Sequence, residues 1–243
     1  MPTQKVLFRD LGTMDYQAAW DYQEELLAKN VEIKSLKWRN EVDEHNVAIE
    51  TDAQTTHHLL LVEHPPVYTL GKSGKIEHVL ISDEERKKNN LGFYKINRGG
   101  DITFHGPGQI VAYPILDLEK FYTDIGKYMR SLEEVIIKTL SDYGLKGDRS
   151  AGETGVWLDP GIKGRERKIC AIGIRCSRWI TMHGLAFNVN TNLDYFNNII
   201  PCGIVNKQVT SLKRELNKEM DIEEVKEKVK RNFEKVFDIQ LSS

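Results

Sequence analysis

The chain has 243 residues, a formal net charge of −2 at pH 7 and three cysteines. Its apolar and charged fractions, 40% and 29%, are those of a globular protein and exclude an extensively disordered chain. The balanced charge argues against nucleic-acid binding, and the sequence has neither a secretory signal nor the ~20 apolar residues of a membrane span. We therefore expect one cytoplasmic domain over residues 1–243 with free thiols, no membrane and no nucleic acid partner.

Hydrophobic periodicity predicts helices and strands in mixed order along the chain. Apolar residues three and four positions apart indicate helices, whereas short apolar runs closed by glycine or proline indicate strands. Residues 67–71 are predicted to open a loop after two prolines. Helices are predicted over residues 15–29, 124–143 and 222–236, and strands over residues 58–63, 91–97, 110–116, 155–158, 169–174 and 180–188. Several strands with interspersed helices are typical of an α+β domain with a mixed sheet packed against helices.

The segment over residues 98–109 contains four glycines, a proline, a histidine and an arginine. This composition favours a backbone shaped around a ligand over one packed in a core. Because strands are predicted on both sides, the segment does not fit the dinucleotide-binding fingerprint, in which a helix follows the glycines. Residues 71–75 include Gly-Lys-Ser but lack the spacing of a phosphate-binding loop.

A second informative segment is Pro201-Cys202-Gly203, which presents a thiol between a residue of fixed φ and one with little steric restriction. Cys170 lies in an apolar run, and Cys176 has no glycine or proline beside it. No cysteine or histidine pair at short spacing supports a metal site for them. The sequence therefore indicates thiol chemistry at Cys202.

A cysteine nucleophile needs a base or a cation nearby, since a thiol with a pKa of ~8.5 is mostly protonated at neutral pH. The candidates are Lys168, His105 and His183, and sequence spacing leaves the choice open. Lys168 also belongs to a basic stretch over residues 163–178, with six lysines and arginines against Glu166. That stretch is predicted to attract an acidic protein or a phosphate.

At these residues the chain resembles the lipoyl(octanoyl) transferase family, the octanoyl-[acyl-carrier-protein]:protein octanoyltransferases. The resemblance covers residues 59–212, with Phe187 where the family usually has leucine and with longer segments at residues 34–56 and 163–166. The matching motifs, in the family's order, are Arg98-Gly99-Gly100 through Thr103, His105-Gly106-Pro107-Gly108-Gln109, Gly155-Val156-Trp157, Lys168 with Ile172-Gly173, His183-Gly184-Leu185-Ala186 with Asn188-Val189, and Pro201-Cys202-Gly203.

The resemblance implies a domain similar to biotin and lipoate protein ligases and a reaction through an acyl-enzyme. Octanoate would arrive as a thioester on acyl carrier protein. Cys202 would form an acyl-thioester, and Lys168 would lower the pKa of that thiol. The octanoyl group would then pass to a lysine ε-amine on a lipoyl domain of a 2-oxoacid dehydrogenase E2 subunit or on the glycine-cleavage H protein. This is the first step of lipoate assembly, and it would need neither ATP nor a metal.

The resemblance also implies the residues that line the acyl and substrate site. They lie in three segments of the chain. The predicted set is Arg98, Gly99, Gly100, Asp101, Ile102, Thr103, Phe104, His105, Ala171, Ile172, Gly173, Gly184, Leu185 and Ala186.

Three other functions remain as alternatives. A lipoate protein ligase would activate a free acid with ATP and would need no nucleophilic cysteine, so Cys202 argues against it. An amidotransferase that moves octanoyl between lipoyl proteins also uses a cysteine. The family motifs alone distinguish it from the octanoyltransferase that the resemblance implies. A non-catalytic acyl or lipoyl-domain binder would not need both Cys202 and Lys168.

Overall fold

The computed structural model of the protein describes residues 3–42, 53–200 and 208–242. The strands are β1 (Gln4–Thr13), β2 (His57–Glu63), β3 (Val67–Leu70), β4 (Gly92–Lys95), β5 (Ile102–His105), β6 (Gln109–Ile115), β7 (Gly147–Asp148), β8 (Val156–Leu158), β9 (Arg167–Ser177), β10 (Ile180–Asn188), β11 (Gln208–Val209) and β12 (Ile239–Ser242). The helices are α1 (Tyr16–Val42), α2 (Asp83–Lys88), α3 (Ile125–Ser141), α4 (Leu212–Leu216) and α5 (Ile222–Phe237).

A mixed sheet forms the centre of the molecule, with strand order β12-β1-β2-β6-β10-β9-β8-β7 and β11 beside β9. Strand β1 is parallel to β2 and β12, whereas β2, β6, β10, β9 and β8 pair antiparallel along the sheet. A smaller sheet has the order β4-β3-β5. The mixed sheet with its helices confirms the α+β class predicted from the sequence.

Helices cover both faces of the main sheet, which is why residues 59–62 of β2 are apolar without interruption. Leu59 and Leu61 pack in the cluster that contains α3 and α5, whereas Leu60 and Val62 pack in the cluster that contains α1. Successive side chains of a strand point to opposite faces, so a strand buried on both faces is a continuous apolar run.

The predicted helices are present, and two of them have clear end signals. The Asp124 carboxylate accepts a hydrogen bond from the Lys127 amide at 2.8 Å and caps α3, and Asp221 caps α5 in the same way. Helix α1 continues well beyond the predicted residues 15–29. Its later turns make polar contacts, such as the ion pair between Lys34 and Asp117 at 2.9 Å, so apolar spacing could not show them.

The prediction of a loop at residues 67–71 is wrong. Residues Val67–Leu70 form β3, the central strand of the smaller sheet, and all four are buried. Its partner β5 lies inside the segment that the sequence predicted to be a ligand-binding loop. Both strands are four residues long, too short for periodicity to separate them from turns, and β3 acquires its partners from distant segments. Strand β1 was also not predicted.

Glu133 of α3 fixes the loop that leads into β8. Its carboxylate is fully buried and accepts hydrogen bonds from the Gly155 amide at 3.1 Å and from Arg149 at 3.0 Å. Gly155 has φ +113°, and a Cβ there would lie 2.5 Å from the Cys170 carbonyl oxygen. Glu133 therefore holds the end of the loop over residues 152–154, which reaches the cavity described below.

Among the described residues, no helix is long and apolar enough to cross a membrane.

The Glu133→Ala variant is expected to lose about 3 kcal/mol of unfolding free energy, because it leaves a buried amide unpaired and opens a cavity. The neighbouring Glu134 is about a third exposed and pairs with Arg149 and Lys138, so Glu134→Ala should cost under about 1 kcal/mol. Urea unfolding of both variants measures the difference. Equal losses would show that the buried carboxylate has no special role.

Candidate active site

A cavity of about 800 Å³ lies between the main sheet and the smaller sheet. Its walls come from strands β9 and β10, from the glycine-rich segment that precedes β5, and from the loop before β8. The predicted residues that line it are Arg98, Gly99, Gly100, Asp101, Ile102, Thr103, His105, Lys168, Ala171, Ile172, Gly173, Gly184, Leu185 and Ala186. Of the predicted binding residues, Phe104 alone does not line the cavity.

Phe104 instead belongs to the core of the smaller sheet. Its side chain is 1% exposed and stacks on Tyr195, with ring centroids 4.6 Å apart. Tyr68 and Phe196 also pack against it. In β5 the side chains of Thr103 and His105 lie on the face opposite to Phe104, and both residues line the cavity.

Close backbone contact holds the glycine-rich segment against β9. The Gly99 amide donates to the Ile174 carbonyl at 2.9 Å. A Cβ at Gly173 would lie 2.8 Å from the Gly99 carbonyl oxygen and 3.1 Å from Cδ of Arg98. Position 173 therefore needs a glycine for the two segments to approach each other.

Arg98 is a buried cation at the start of a hydrogen-bonded chain of side chains. Its guanidinium donates to the carbonyl and hydroxyl oxygens of Thr69, at 2.8 and 3.1 Å. The Thr69 hydroxyl faces Nε2 of His105 at 3.4 Å, and Nδ1 of His105 lies 2.8 Å from Oε1 of Gln109. The Gln109 amide nitrogen donates to Asn188 at 2.8 Å. Because Oε1 of Gln109 is an acceptor, Nδ1 of His105 carries the proton.

Two histidines of the cavity, His105 and His183, are held neutral. Burial lowers the pKa of His105 to about 3, and neighbouring cationic and histidine side chains act in the same direction. Burial, together with Arg98 and Arg175, also lowers the pKa of His183 to about 3. Neither imidazole is a strong base at neutral pH, since a useful general base has a pKa near the operating pH.

His183 has an unusual backbone conformation, with φ +58° in β10. Its Nε2 lies 3.0 Å from Oδ1 of Asn97, whose amide nitrogen donates to Glu24 at 3.1 Å. Nε2 therefore carries the proton, and Nδ1 is an acceptor. Within the described residues, this buried Nδ1 has no hydrogen-bond partner.

Lys168 projects into the cavity from β9. Its ammonium lies 4.6 Å from the ring centroid of Trp157, a cation–π contact that holds the side chain in place. Strand β11 pairs with β9 at this point, with Val209 opposite Lys168, and the Thr210 amide donates to the Lys168 carbonyl at 2.9 Å. Val209 also lines the cavity.

Cys202, with Pro201 and Gly203, lies outside the described residues. On the side before it, the Ile200 amide donates to the carbonyl of His78 at 2.8 Å, and His78 lines the cavity. The other two cysteines are not activated. Burial raises the pKa of both Cys170 and Cys176.

Several residues of the cavity wall were not predicted. Tyr16 and Tyr113 contribute rings from α1 and β6, and Asn188 and Glu153 contribute polar side chains. The Tyr16 ring is stacked against His105 at 5.9 Å. Tyr16, Tyr113 and Glu153 come from distant segments, and the sequence carries no local signal for them. Asn188, like the lining residue Gln109, lies within a matched family motif, and that motif is the signal that could have found it.

The basic stretch over residues 163–178 carries less free charge than its composition predicts. Arg167 pairs with Asp159 at 2.6 Å and with Glu215 at 2.7 Å, and Arg175 pairs with Glu24 at 2.6 Å.

The described residues contain no group of three or more histidine, cysteine, aspartate or glutamate side chains that could hold a metal ion.

Comparison with known proteins gives the family. The family description "Lipoyl protein ligase A/B catalytic domain" matches residues 15–234. The chain belongs to this family. An octanoyltransferase from Christiangramia forsetii is 57% identical over 239 residues, which are 98% of this chain and 98% of that one. An octanoyltransferase from Flavobacterium johnsoniae is 54% identical over 98% of this chain and 99% of that one. The similarity supports octanoyl transfer in lipoate assembly, and the protein is an acyltransferase.

Solved structures confirm the predicted fold. A bipartite lipoate protein ligase from Thermoplasma acidophilum matches with a TM-score of 0.68 at 16% identity, over 99% of this chain and 86% of that one. The biotin protein ligase of Aquifex aeolicus matches with a TM-score of 0.51 at 15% identity, over 96% and 70% of the two chains. At identities this low, the similarity to these two structures shows a shared fold and nothing more.

The close approach at Gly173 predicts the effect of one added methyl group. Gly173→Ala is expected to slow octanoyl transfer tenfold or more, because overpacking costs about 1–3 kcal/mol and moves the Arg98 segment. Gly99→Ala is the control, since its Cβ would lie 3.5 Å from the Ile174 carbonyl oxygen, an ordinary contact. Steady-state rates on an octanoyl thioester compare them. Equal rates for the two variants would contradict the close-approach argument.

The neutral state of His105 predicts how stability changes with pH. Its folded pKa of about 3 lies below the unfolded value of about 6.5, so the unfolded chain binds the extra proton as the pH falls. From pH 6.5 to pH 5 this histidine alone should remove about 2 kcal/mol of unfolding free energy. His105→Gln should reduce the fall measured by urea unfolding at pH 7 and pH 5 by that amount. An unchanged fall would show that His105 titrates normally.

Proposed function

We propose that the protein transfers an octanoyl group from the thioester of acyl carrier protein to a lysine of a lipoyl domain, through an acyl-thioester on Cys202. The observation that carries this proposal is the position of the two flanks of the Cys202 segment. Ile200 is bonded to His78, Val209 is paired with Lys168, and both of these partners line the cavity. In the sequence, Cys202 is two residues from Ile200.

In the first half-reaction, the Cys202 thiolate attacks the thioester carbonyl. The new thioester forms on Cys202, and the phosphopantetheine thiol leaves and takes a proton. The exchange of one thioester for another is nearly neutral in free energy, so the proposal needs no ATP and no metal. The Lys168 ammonium stabilises the thiolate, as a cation beside a cysteine does.

In the second half-reaction, the ε-amine of the acceptor lysine attacks the Cys202 thioester. An amide forms, the carbon–sulfur bond breaks, and the Cys202 thiol is restored. Lys168 is the group we assign to both proton transfers, because the pKa of His105 and the pKa of His183 are each lowered to about 3. The Arg98 segment, residues 171–173 and residues 184–186 surround the acyl chain in this proposal.

The cavity suits an eight-carbon chain. Ile102, Val111, Met129, Ile172 and Leu185 provide apolar wall, and at ~0.8 kcal/mol per methylene the burial of the chain gives roughly 5 kcal/mol of binding. One methylene changes binding by only about 1–3 kcal/mol, so longer chains must be excluded by the shape of the pocket.

The acceptor in this proposal is a lipoyl domain of an E2 subunit or the glycine-cleavage H protein. The archaeal ligase of the same fold is described together with its E2 lipoyl domain, which supports an acceptor of this kind. The whole chain acts as one catalytic domain, and the reaction takes place in the cytoplasm, where free thiols stay reduced.

The decisive experiment is intact-mass measurement after mixing the protein with octanoyl-acyl carrier protein in the absence of ATP. Wild type should gain one octanoyl group that hydroxylamine removes. Cys202→Ser should gain none or form a hydroxylamine-stable ester, whereas Cys176→Ser, a change at a half-buried cysteine, should behave as wild type. Transfer that required ATP and free octanoate would identify a ligase and reject the proposal.

Lys168→Met keeps the length of the side chain and removes the charge. Acyl-enzyme formation at pH 7 should fall by about 10²- to 10⁴-fold, and part of the loss should be recovered as the pH rises and the thiol ionises unaided. Single-turnover rates between pH 6 and pH 10 measure both effects. A loss that is the same at every pH would point to damage of the cavity rather than to a missing cation.

A further inference from the structure

Two exposed aliphatic side chains stand together beside the cavity. Ile76 is 52% exposed and Leu80 is 56% exposed, and they lie four residues apart in one segment, which we call the rim segment (residues 72–80). In the described part of the chain, the other exposed large apolar side chains are Leu36 and Ile162, each in a different segment. Exposed apolar side chains that cluster are typical of interaction sites.

The rim segment is fixed to both sides of the proposed active site. At its start, the amides of Lys72 and Ser73 donate to the carbonyls of Arg98 and Gly100, at 2.9 and 3.2 Å. At its end, the Leu80 amide donates to the Asn198 carbonyl at 2.9 Å. Ser73, Lys75 and His78 of the same segment line the cavity. A molecule bound on the rim segment is therefore held at the cavity entrance.

The rim segment also carries two exposed lysines, Lys72 and Lys75, beside one exposed carboxylate, Glu77. Lys72 and Lys75 are exposed, and neither takes part in an ion pair with a described residue. The arginines of the basic stretch over residues 163–178, in contrast, are largely paired with carboxylates. Lysines beside exposed aliphatic residues fit an acidic protein surface that also has an apolar patch.

We propose that the rim segment is the docking surface for the acyl donor, an acidic carrier protein whose acyl group hangs on a phosphopantetheine arm. This inference rests on the proposed function, because it assumes a carrier-bound thioester. Ile76 and Leu80 contact the protein, and Lys72 contacts its acidic groups. Lys75, at the cavity wall, meets the phosphodiester at the base of the arm. The acceptor domain offers a lysine and no phosphodiester, and for this reason the two lysines favour the donor.

The test compares two donors that carry the same thioester. One is octanoyl-carrier protein, and the other is octanoyl-pantetheine, which has neither the protein nor the phosphate. The variants are Ile76→Ser with Leu80→Ser, and Lys72→Glu, none of which changes a side chain of the cavity wall. The matched controls are Ile162→Ser and Lys146→Glu, at exposed residues away from the wall.

Single-turnover acylation should fall tenfold or more for the rim variants with octanoyl-carrier protein, as expected for central interface residues. It should be unchanged with octanoyl-pantetheine, and the controls should match wild type with both donors. The loss in Lys72→Glu should shrink as salt is raised, because salt screens exposed charges. Transfer from the preformed octanoyl-enzyme to a lipoyl-domain acceptor should be unchanged.

Equal losses with both donors would overturn the proposal and show that the rim segment shapes the cavity. A loss confined to the acceptor step would assign the surface to the lipoyl domain, and wild-type rates in every assay would show that the segment docks nothing. If instead the wild-type protein forms no acyl-enzyme with either donor, the proposed function fails, which is a separate result.

Discussion

The absence of side chains at one cross-strand pair is the constraint on which the site depends. Gly173 and Gly184 lie opposite each other in β9 and β10. A Cβ at Gly184 would lie 2.2 Å from the Ala112 carbonyl oxygen, and one at Gly173 would meet the Gly99 carbonyl. Gly173 therefore lets the Arg98 segment lie directly on β9, and Gly184 lets β10 approach the backbone of β6. Both close approaches are at the cavity wall.

The cavity wall contains arginine and lysine side chains, while burial holds two of its histidines, His105 and His183, neutral. His105 relays a hydrogen bond between Thr69 and Gln109, which fixes its tautomer and occupies both ring nitrogens. It is therefore a structural bridge between Arg98 and β6. Sequence spacing left Lys168, His105 and His183 as candidates for the group beside the thiol. Because burial lowers the pKa of both histidines, the proposed function assigns this role to Lys168.

Elements whose signal is local could be predicted from the sequence. Helices α3 and α5 have long apolar stripes and capping aspartates, and β2 and β10 have apolar runs long enough to be distinctive. Of the smaller sheet, β4 lies within a predicted strand, whereas β3 and β5 were missed because they are short and acquire their identity from pairing with each other. The predicted binding residues line the cavity except Phe104, whose side chain packs in the core of the smaller sheet. Tyr16 reaches the wall through the packing of α1, which no local pattern encodes.

The anchoring of the Cys202 segment has a consequence for how this family can vary. Seven residues separate Ile200, whose amide donates to His78 of the rim segment, from Gln208, which pairs with β9. An inserted or deleted residue would change the length of chain between two ends that are both fixed beside the cavity. Because Ile200 and Gln208 are both fixed, we expect insertions and deletions among related proteins to occur in other parts of the chain.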